Sequence, residues 1–268
     1  MSTRLRASTD QLQTNVYNTH PEKNCRKPEL KAVILAAGQS KRLRPLVKDT
    51  PKCLLRFNGD TILSFHIKSL LRCGISQVLV VVGYKRDQIE EYIRKLKIDA
   101  VKLVVNSLYK RTDNAHSVAL ALECLDSAGS CVILDGDIIF DFALLQELVS
   151  SDYPNALIAD NSGEIAAEDS KVLIEDGFVK AIGKGVNGNA VYTSLIKLSG
   201  RFLDQFKEEV GKPKYLRTWY SEPLNEVFNA YPREVFALLT NGRARFDIDT
   251  HSEYVEAKRM FRAMKWAW

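Results

Sequence analysis

From Lys31 onward the chain alternates short apolar runs with amphipathic stretches, and this rhythm limits its fold more than any other feature. The runs are AVILAA (32–37), QVLVVVG (77–83), VKLVVN (101–106) and CVILDGD (131–137), rich in β-branched residues. Between them lie TILSFHIKSLLRCG (61–74), RDQIEEYIRKL (86–96) and SVALALECL (117–125). In the first of these, Ile62, Phe65, Leu70 and Cys73 recur near helical spacing, and Gly74 suits a helix C-terminus. Strands apolar on both faces need cover on both faces, so the pattern predicts a parallel sheet between helices. After about residue 155 the rhythm changes. SKVLIEDGFVKAIG (170–183) reads as a hairpin through Asp176-Gly177, and NAVYTSLIKLS (189–199) as a strand. RFLDQFKEEV and SEPLNEVFNAY read as helices. EVFALLT and RARFDID read as a final strand pair before a C-terminal helix. The expected fold class is α/β: a Rossmann-like, doubly wound, mostly parallel sheet with a smaller mixed antiparallel portion on the substrate side. Residues 1–30, polar and poor in apolar side chains, read as a flexible N-terminal extension, and residues 31–268 as a single domain.

In an open α/β sheet, ligands bind beyond the carboxyl ends of the strands. The loops after residues 37, 83, 106 and 135 are therefore expected to line one crevice. The first of them, in LAAGQSKRLRPLVKDTPKCLL, gathers Arg42, Arg44, Lys48 and Lys52. It contains neither G-x-x-x-x-G-K-[ST] nor G-x-G-x-x-G, having Gly38 alone. What it offers is a turn whose N–H groups can form an anion nest, with guanidinium groups able to clamp phosphate oxygens. The competing reading is a solvated basic loop. In LDGDIIFD (134–141), Asp135 and Asp137 follow a buried strand and present hard oxygen ligands of the kind Mg²⁺ takes together with substrate phosphates. Asp247 and Asp249, in RFDIDTHSEY (245–254), are two apart on a strand and face one side, although Asp249 and Thr250 are also natural helix caps.

Other classes fall away on composition. A net charge of +5 spread along the chain does not make a nucleic-acid surface, and a phosphorylated small molecule accounts for a local basic loop. No apolar run approaches the roughly 20 residues of a membrane helix, so no membrane partner is expected. The five cysteines are dispersed without a C-x-x-C pair, and the four histidines lack H-E-x-x-H spacing. These features suit a reducing, cytoplasmic setting and exclude a disulfide framework or zinc site. No spacing supports Cys53 and His116 as a nucleophilic pair. Trp219, Tyr220 and Glu222, ahead of a helix, read either as a substrate wall or as core and cap. A homo-oligomer is neither required nor excluded.

In order and spacing, LAAGQSKRLRP, TPKCLL, LDGD and FDIDT together resemble the nucleotidyltransferase family that makes nucleotide-activated small molecules, including sugar-1-phosphate nucleotidyltransferases and phosphocholine cytidylyltransferases. The resemblance runs from about Lys31 to the C-terminal helix. It implies that Arg42 holds the triphosphate, that Lys52 neutralises charge near the reacting phosphates, and that Asp137 and Asp249 hold Mg²⁺, with Asp135 a weaker candidate. It also implies that the backbone of Leu35, Ala36, Ala37 and Gly38 lies against base and ribose. Ser40 stands where the family usually has a second glycine. NSLYKRTDNAHSVALAL (106–122) looks like the N-x-x-Y-x-x-x-N-N-x-x-S-L stretch of the phosphocholine type, with Asp113 in place of the first paired asparagine. Asn106, Asn114 and Ser117 are thereby implicated in reading cytosine, since amides offer both donor and acceptor. GKGVNGNAVYTSLIKLS (183–199) is similar to the family's substrate-side strand, which implies that Lys184 meets a phosphate; Tyr192 in that strand and Glu222 are the other candidates for the acceptor. The glutamate usual in that strand is missing, Asn189 being the nearest residue. The expected function is an Mg²⁺-dependent cytidylyltransferase joining CTP to a phosphorylated or phosphonate acceptor. The alternatives are a sugar-1-phosphate uridylyl- or thymidylyltransferase and a non-catalytic nucleotide-binding subunit, with a dinucleotide oxidoreductase last.

Overall fold

The structure, a computed structural model, describes residues 29–43, 47–57, 59–125 and 129–263. Nearly all of the N-terminal extension, and Arg44, lie outside these residues. Strand β1 (Leu30–Ala36) leads through the cationic loop to a small hairpin, β2 (Arg56–Phe57) and β3 (Asp60–Thr61). There follow α1 (Ile62–Arg72), β4 (Gln77–Val82), α2 (Arg86–Leu96), β5 (Val101–Val105), α3 (Asn114–Glu123) and β6 (Ser130–Asp135). Next come β7 (Ile138–Phe140), α4 (Phe142–Ser150), β8 (Ala156–Asp160), β9 (Lys171–Glu175), β10 (Phe178–Gly183) and β11 (Ala190–Ser199). The chain continues with α5 (Gly200–Val210), α6 (Ser221–Ala230), β12 (Phe236–Leu239), β13 (Arg245–Asp247) and α7 (His251–Ala263).

Nine strands form one sheet in the order β5-β4-β1-β6-β11-β8-β12-β10-β9. The half β5-β4-β1-β6 is parallel throughout, as the apolar runs predict. Beyond it the sheet is mixed: β11 runs antiparallel to both β6 and β8, β12 is parallel to β8, and β9 and β10 form the antiparallel hairpin. A mostly parallel sheet therefore describes only the first half. The hairpin turns at Asp176 (φ 51°) and Gly177 (φ 81°), both left-handed as a type I′ turn requires. The expected final strand pair is not a pair. β12 lies within the large sheet, whereas β13 pairs with β7 in a separate ribbon. Such non-local partners leave no mark on local periodicity.

Alternate residues of β1 feed two cores. Ala32 and Ile34 pack with α1, α2 and α4, while Val33 packs with α3, α5 and α6, all fully buried. At about 1.5–3 kcal/mol for each fully buried aliphatic side chain, this two-sided burial fixes where the strand ends. A third, smaller core matters most for the site. Leu43, Val47, Leu55, Phe57, Ile139, Ile248 and Tyr254 join the cationic loop, the β2–β3 hairpin, the β7–β13 ribbon and α7. No helix among the described residues is long and apolar enough to cross a membrane.

Candidate active site

The cleft lies at the carboxyl ends of β1 and β6 and has a volume of about 440 Å³. Its walls are the loop from Leu35 to Arg42, the turn running into α3, the Asp135-Gly136-Asp137 corner, and Asp247 and Asp249. The loop after β4 braces it from behind, where Tyr84 N donates to the Ala37 carbonyl at 3.1 Å. Within the first loop the left-handed residue is Ser40 (φ 46°), not Gly38. The family's second glycine thus stands where the backbone needs one, and this chain forces serine into that conformation. Gly38 serves differently: a Cβ there would meet nothing within 4 Å, so its missing side chain leaves the cleft wall open.

Charge is concentrated at one point. Lys52, in a short 3₁₀ turn after Pro51, is 6% exposed. Its Nζ donates to Asp137 at 2.8 Å and to Asp249 at 3.0 Å. Burial works against its charge, but Asp137, Asp249 and Asp247 outweigh burial and hold the ammonium protonated above its ordinary range. Arg42, mostly exposed, reaches Asp249 at 2.6 Å. Asp249 is free for these contacts because the helix start is satisfied elsewhere. Thr250 Oγ1 accepts from Glu253 N, and the Glu253 carboxylate accepts from the N–H groups of Asp249 and Thr250, a capping box opening α7. The capping reading was right for Thr250 and wrong for Asp249.

Asp137, Asp247 and Asp249 each offer a carboxylate oxygen, and the three lie within 4.8 Å of one another. Hard oxygens converging beside a phosphate-sized cleft fit a small divalent cation. Asp247 belongs to this cluster although sequence reasoning stopped short of assigning it. The signal was present in its two-residue spacing from Asp249. Asp135 stands outside the cluster. Its carboxylate accepts a hydrogen bond from the Ser194 hydroxyl, and burial with the neighbouring Asp137 pushes its carboxyl group up.

On the opposite wall the turn into α3 brings together the residues assigned to the base. The helix begins at Asn114, earlier than apolar spacing alone suggested, so Asn114 and Ser117 lie on its first turns. Asn106 lines the cleft but is 1% exposed and saturated. Its amide donates to Ser117 Oγ (3.0 Å) and Thr112 Oγ1 (3.2 Å), and its oxygen accepts from Leu108 N (2.9 Å). Asn106 and Ser117 thus hold the turn together. Asn114 Oδ1 accepts from Tyr220 N at 2.9 Å, tying α3 to the start of α6.

The acceptor-side assignments fare worse. Tyr192 is buried, its hydroxyl bonded to that of Tyr220 at 3.0 Å, because β11 turns this side chain into the core. Glu222 is exposed on the first turn of α6 and does not line the cleft. Asn189 clamps the backbone of Ile174 through both its amide atoms. Lys184 reaches the cleft only through Trp219, over whose ring its Nζ sits at 4.7 Å; Trp219, 44% exposed, does line the wall. Cys53 borders the cleft, but burial pushes its thiol up to about 12, which leaves it unreactive.

Comparison with known proteins gives a consistent result. The model of the MobA-like NTP transferase domain matches residues 32–245. CTP:phosphoglutamine cytidylyltransferase of Campylobacter jejuni is 30% identical over 193 residues, covering 66% of this chain and 76% of its own. 2-Aminoethylphosphonate cytidylyltransferase of Lancefieldella rimae is 31% identical over 189 residues, covering 67% and 74%. Among solved structures, the CTP:phosphocholine cytidylyltransferase of Streptococcus pneumoniae superposes with a TM-score of 0.71 at 21% identity, covering 87% of this chain and 99% of its own. At that identity the likeness is one of fold.

Proposed function

The chain belongs to the MobA-like NTP transferase domain family, and on that premise we propose that it is an Mg²⁺-dependent cytidylyltransferase. It joins CTP to a small phosphorylated or phosphonate acceptor and releases pyrophosphate. The observation that carries this reading is the buried Lys52 ammonium, shared by Asp137 and Asp249 at the mouth of a cleft that also holds Arg42. Relatives acting on phosphoglutamine and on 2-aminoethylphosphonate support cytidylyl transfer and an acceptor of this class. The parallel half of the sheet is read as the doubly wound nucleotide side, and the mixed half as the acceptor side of one domain.

An acceptor phosphate or phosphonate oxygen attacks the α-phosphorus of CTP in line. The bond to the bridging oxygen breaks, and pyrophosphate leaves with its electron pair. Such transfers gain most from positioning and charge neutralisation. Arg42, exposed beside Asp249, clamps the triphosphate through phosphate oxygens that replace that carboxylate. Lys52, fixed by its two carboxylates, presents positive charge where negative charge develops. Asp137, Asp247 and Asp249 would hold Mg²⁺, which when bound supplies further neutralisation of the phosphates.

The test is pyrophosphate release by the purified chain with Mg²⁺, crossing CTP, UTP, dTTP, ATP and GTP with phosphate and phosphonate acceptors. Turnover with CTP is expected, and Arg42→Ala should lower it on the order of 10²- to 10³-fold. Turnover with UTP or dTTP and a sugar phosphate would instead assign the chain to the sugar-nucleotide branch. An Arg42→Ala variant as active as the parent would remove the triphosphate clamp from the mechanism.

A further inference from the structure

Of the residues on the base side of the cleft, Asn106 is committed through both ends of its amide, and Ser117 is tied to it, its hydroxyl oxygen accepting from that amide. Asn114 has one half of its amide left: its oxygen is taken by Tyr220 N, whereas its nitrogen makes no hydrogen bond with the described residues. Beside it stands Asp113, which lines the cleft and occupies the N-cap position of α3. An aspartate there ordinarily accepts from an N–H of the first turn. Asp113 does not: its side chain makes no capping bond, and no ion pair or hydrogen bond to the described residues engages its carboxylate. The structural use of this residue type at this place is therefore not being made.

What remains facing the cleft is an acceptor-only carboxylate next to an amide donor. The Watson–Crick edge of cytosine carries a 4-amino donor followed by acceptors at N3 and O2. Uracil carries an acceptor at O4 and a donor at N3. We propose that Asp113 is the residue that selects cytosine over uracil: its carboxylate accepts from the 4-amino group, and the Asn114 amide nitrogen donates to the neighbouring acceptor of the ring. Uracil would set its 4-oxo group against the carboxylate, two acceptors with no proton between them, and a desolvated unpaired acceptor is costly. The replacement of the asparagine usual in the phosphocholine type sharpens the choice, because an amide can turn to suit either base and a carboxylate cannot.

This inference rests on the cytidylyl-transfer reading, and one set of binding titrations separates the two. CTP and UTP affinities are measured calorimetrically with Mg²⁺ for the full chain, Asp113→Asn and Asp113→Ala. Their ratio cancels any change in the attraction of the triphosphate, common to both nucleotides, as well as any general loosening of the turn. The parent should prefer CTP by about tenfold or more, the loss expected when a hydrogen bond to a charged group is removed. Asp113→Asn should bring the two affinities close together, and Asp113→Ala should narrow the CTP/UTP ratio as well, because it removes the bond to the 4-amino group and the clash with the 4-oxo group together. A parent ratio that survives both substitutions overturns the role of Asp113 while cytidylyl transfer stands. A parent without preference for CTP removes the cytidylyl reading and this inference with it.

Discussion

Ser194 occupies the left-handed region (φ 59°) in the middle of β11, where register with β8 breaks between Tyr192 and Ile196. A serine held in this conformation costs about 1–2 kcal/mol, and here it aims a hydroxyl at Asp135. Two substitutions separate strain from hydrogen bond. Ser194→Ala loses the hydroxyl and keeps the strain. Ser194→Gly loses the hydroxyl and relieves it. In urea titrations the glycine variant should be the more stable of the two by about 1 kcal/mol, inverting the order expected within a regular strand. A less stable glycine variant would mean that the bulge carries no strain. Nothing in VYTSLIK announced this bulge, because it arises where β11 meets β6 on one side and β8 on the other. By contrast, Arg42, Lys52, Asp137 and Asp249, singled out by type and order in the sequence, do meet at one point of the cleft. Tyr192 lies in the core rather than in the cleft wall, because alternation says which positions share a face but not which face meets a cleft.

At the level of elements, the site depends on how closely the end of β6 approaches the end of β1. Gly136 N donates to the Leu35 carbonyl at 2.8 Å, and a Cβ at position 136 would lie 2.5 Å from that same oxygen. The obstructing atom is backbone at the end of a doubly buried strand, so it has no room to yield. Gly136→Ala should destabilise the fold by about 1–3 kcal/mol through overpacking. It should also reduce turnover on the order of 10²-fold, because Asp137 would be displaced from its partners while remaining chemically intact. Denaturation midpoints and pyrophosphate release measured on the same preparation would check both parts. An alanine variant of normal stability and turnover would show that the corner is not fixed by contact. The strands and helices of the first half were legible because their partners are near neighbours in the chain. The β7–β13 ribbon was not, because it pairs segments that only the finished fold brings together.

Across the whole molecule, the charged cluster ties distant segments into one unit. Lys52 bonds Asp137, 85 residues away, and Asp249, 197 residues away. Replacing it with methionine, similar in bulk but uncharged, would leave Asp137 without a cation, in repulsion with its acidic neighbours, and Asp249 with Arg42 alone. Breaking a fully buried pair costs about 3–5 kcal/mol. Asp137 and Asp249 are 35% and 25% exposed, so screening should bring the loss in Lys52→Met to about 2 kcal/mol. Added Mg²⁺ should recover more stability in the variant than it adds to the parent, since it offsets the same repulsion. Chemical denaturation with and without Mg²⁺ measures this, and equal gains in both proteins would separate the carboxylate cluster from metal binding. The α/β class, the parallel half of the sheet, the I′ hairpin and the cationic and acidic motifs can all be read from the amino-acid order. Each of these follows from local periodicity, turn chemistry or residue type. The mixed half of the sheet, the addition of Asp247 to the acidic cluster, the internal commitment of Asn106 and the open carboxylate of Asp113 emerge only when the chain is folded. The reason is physical: a polar side chain can serve a ligand only with the atoms that its folded neighbours leave unbonded, and those neighbours come from across the chain.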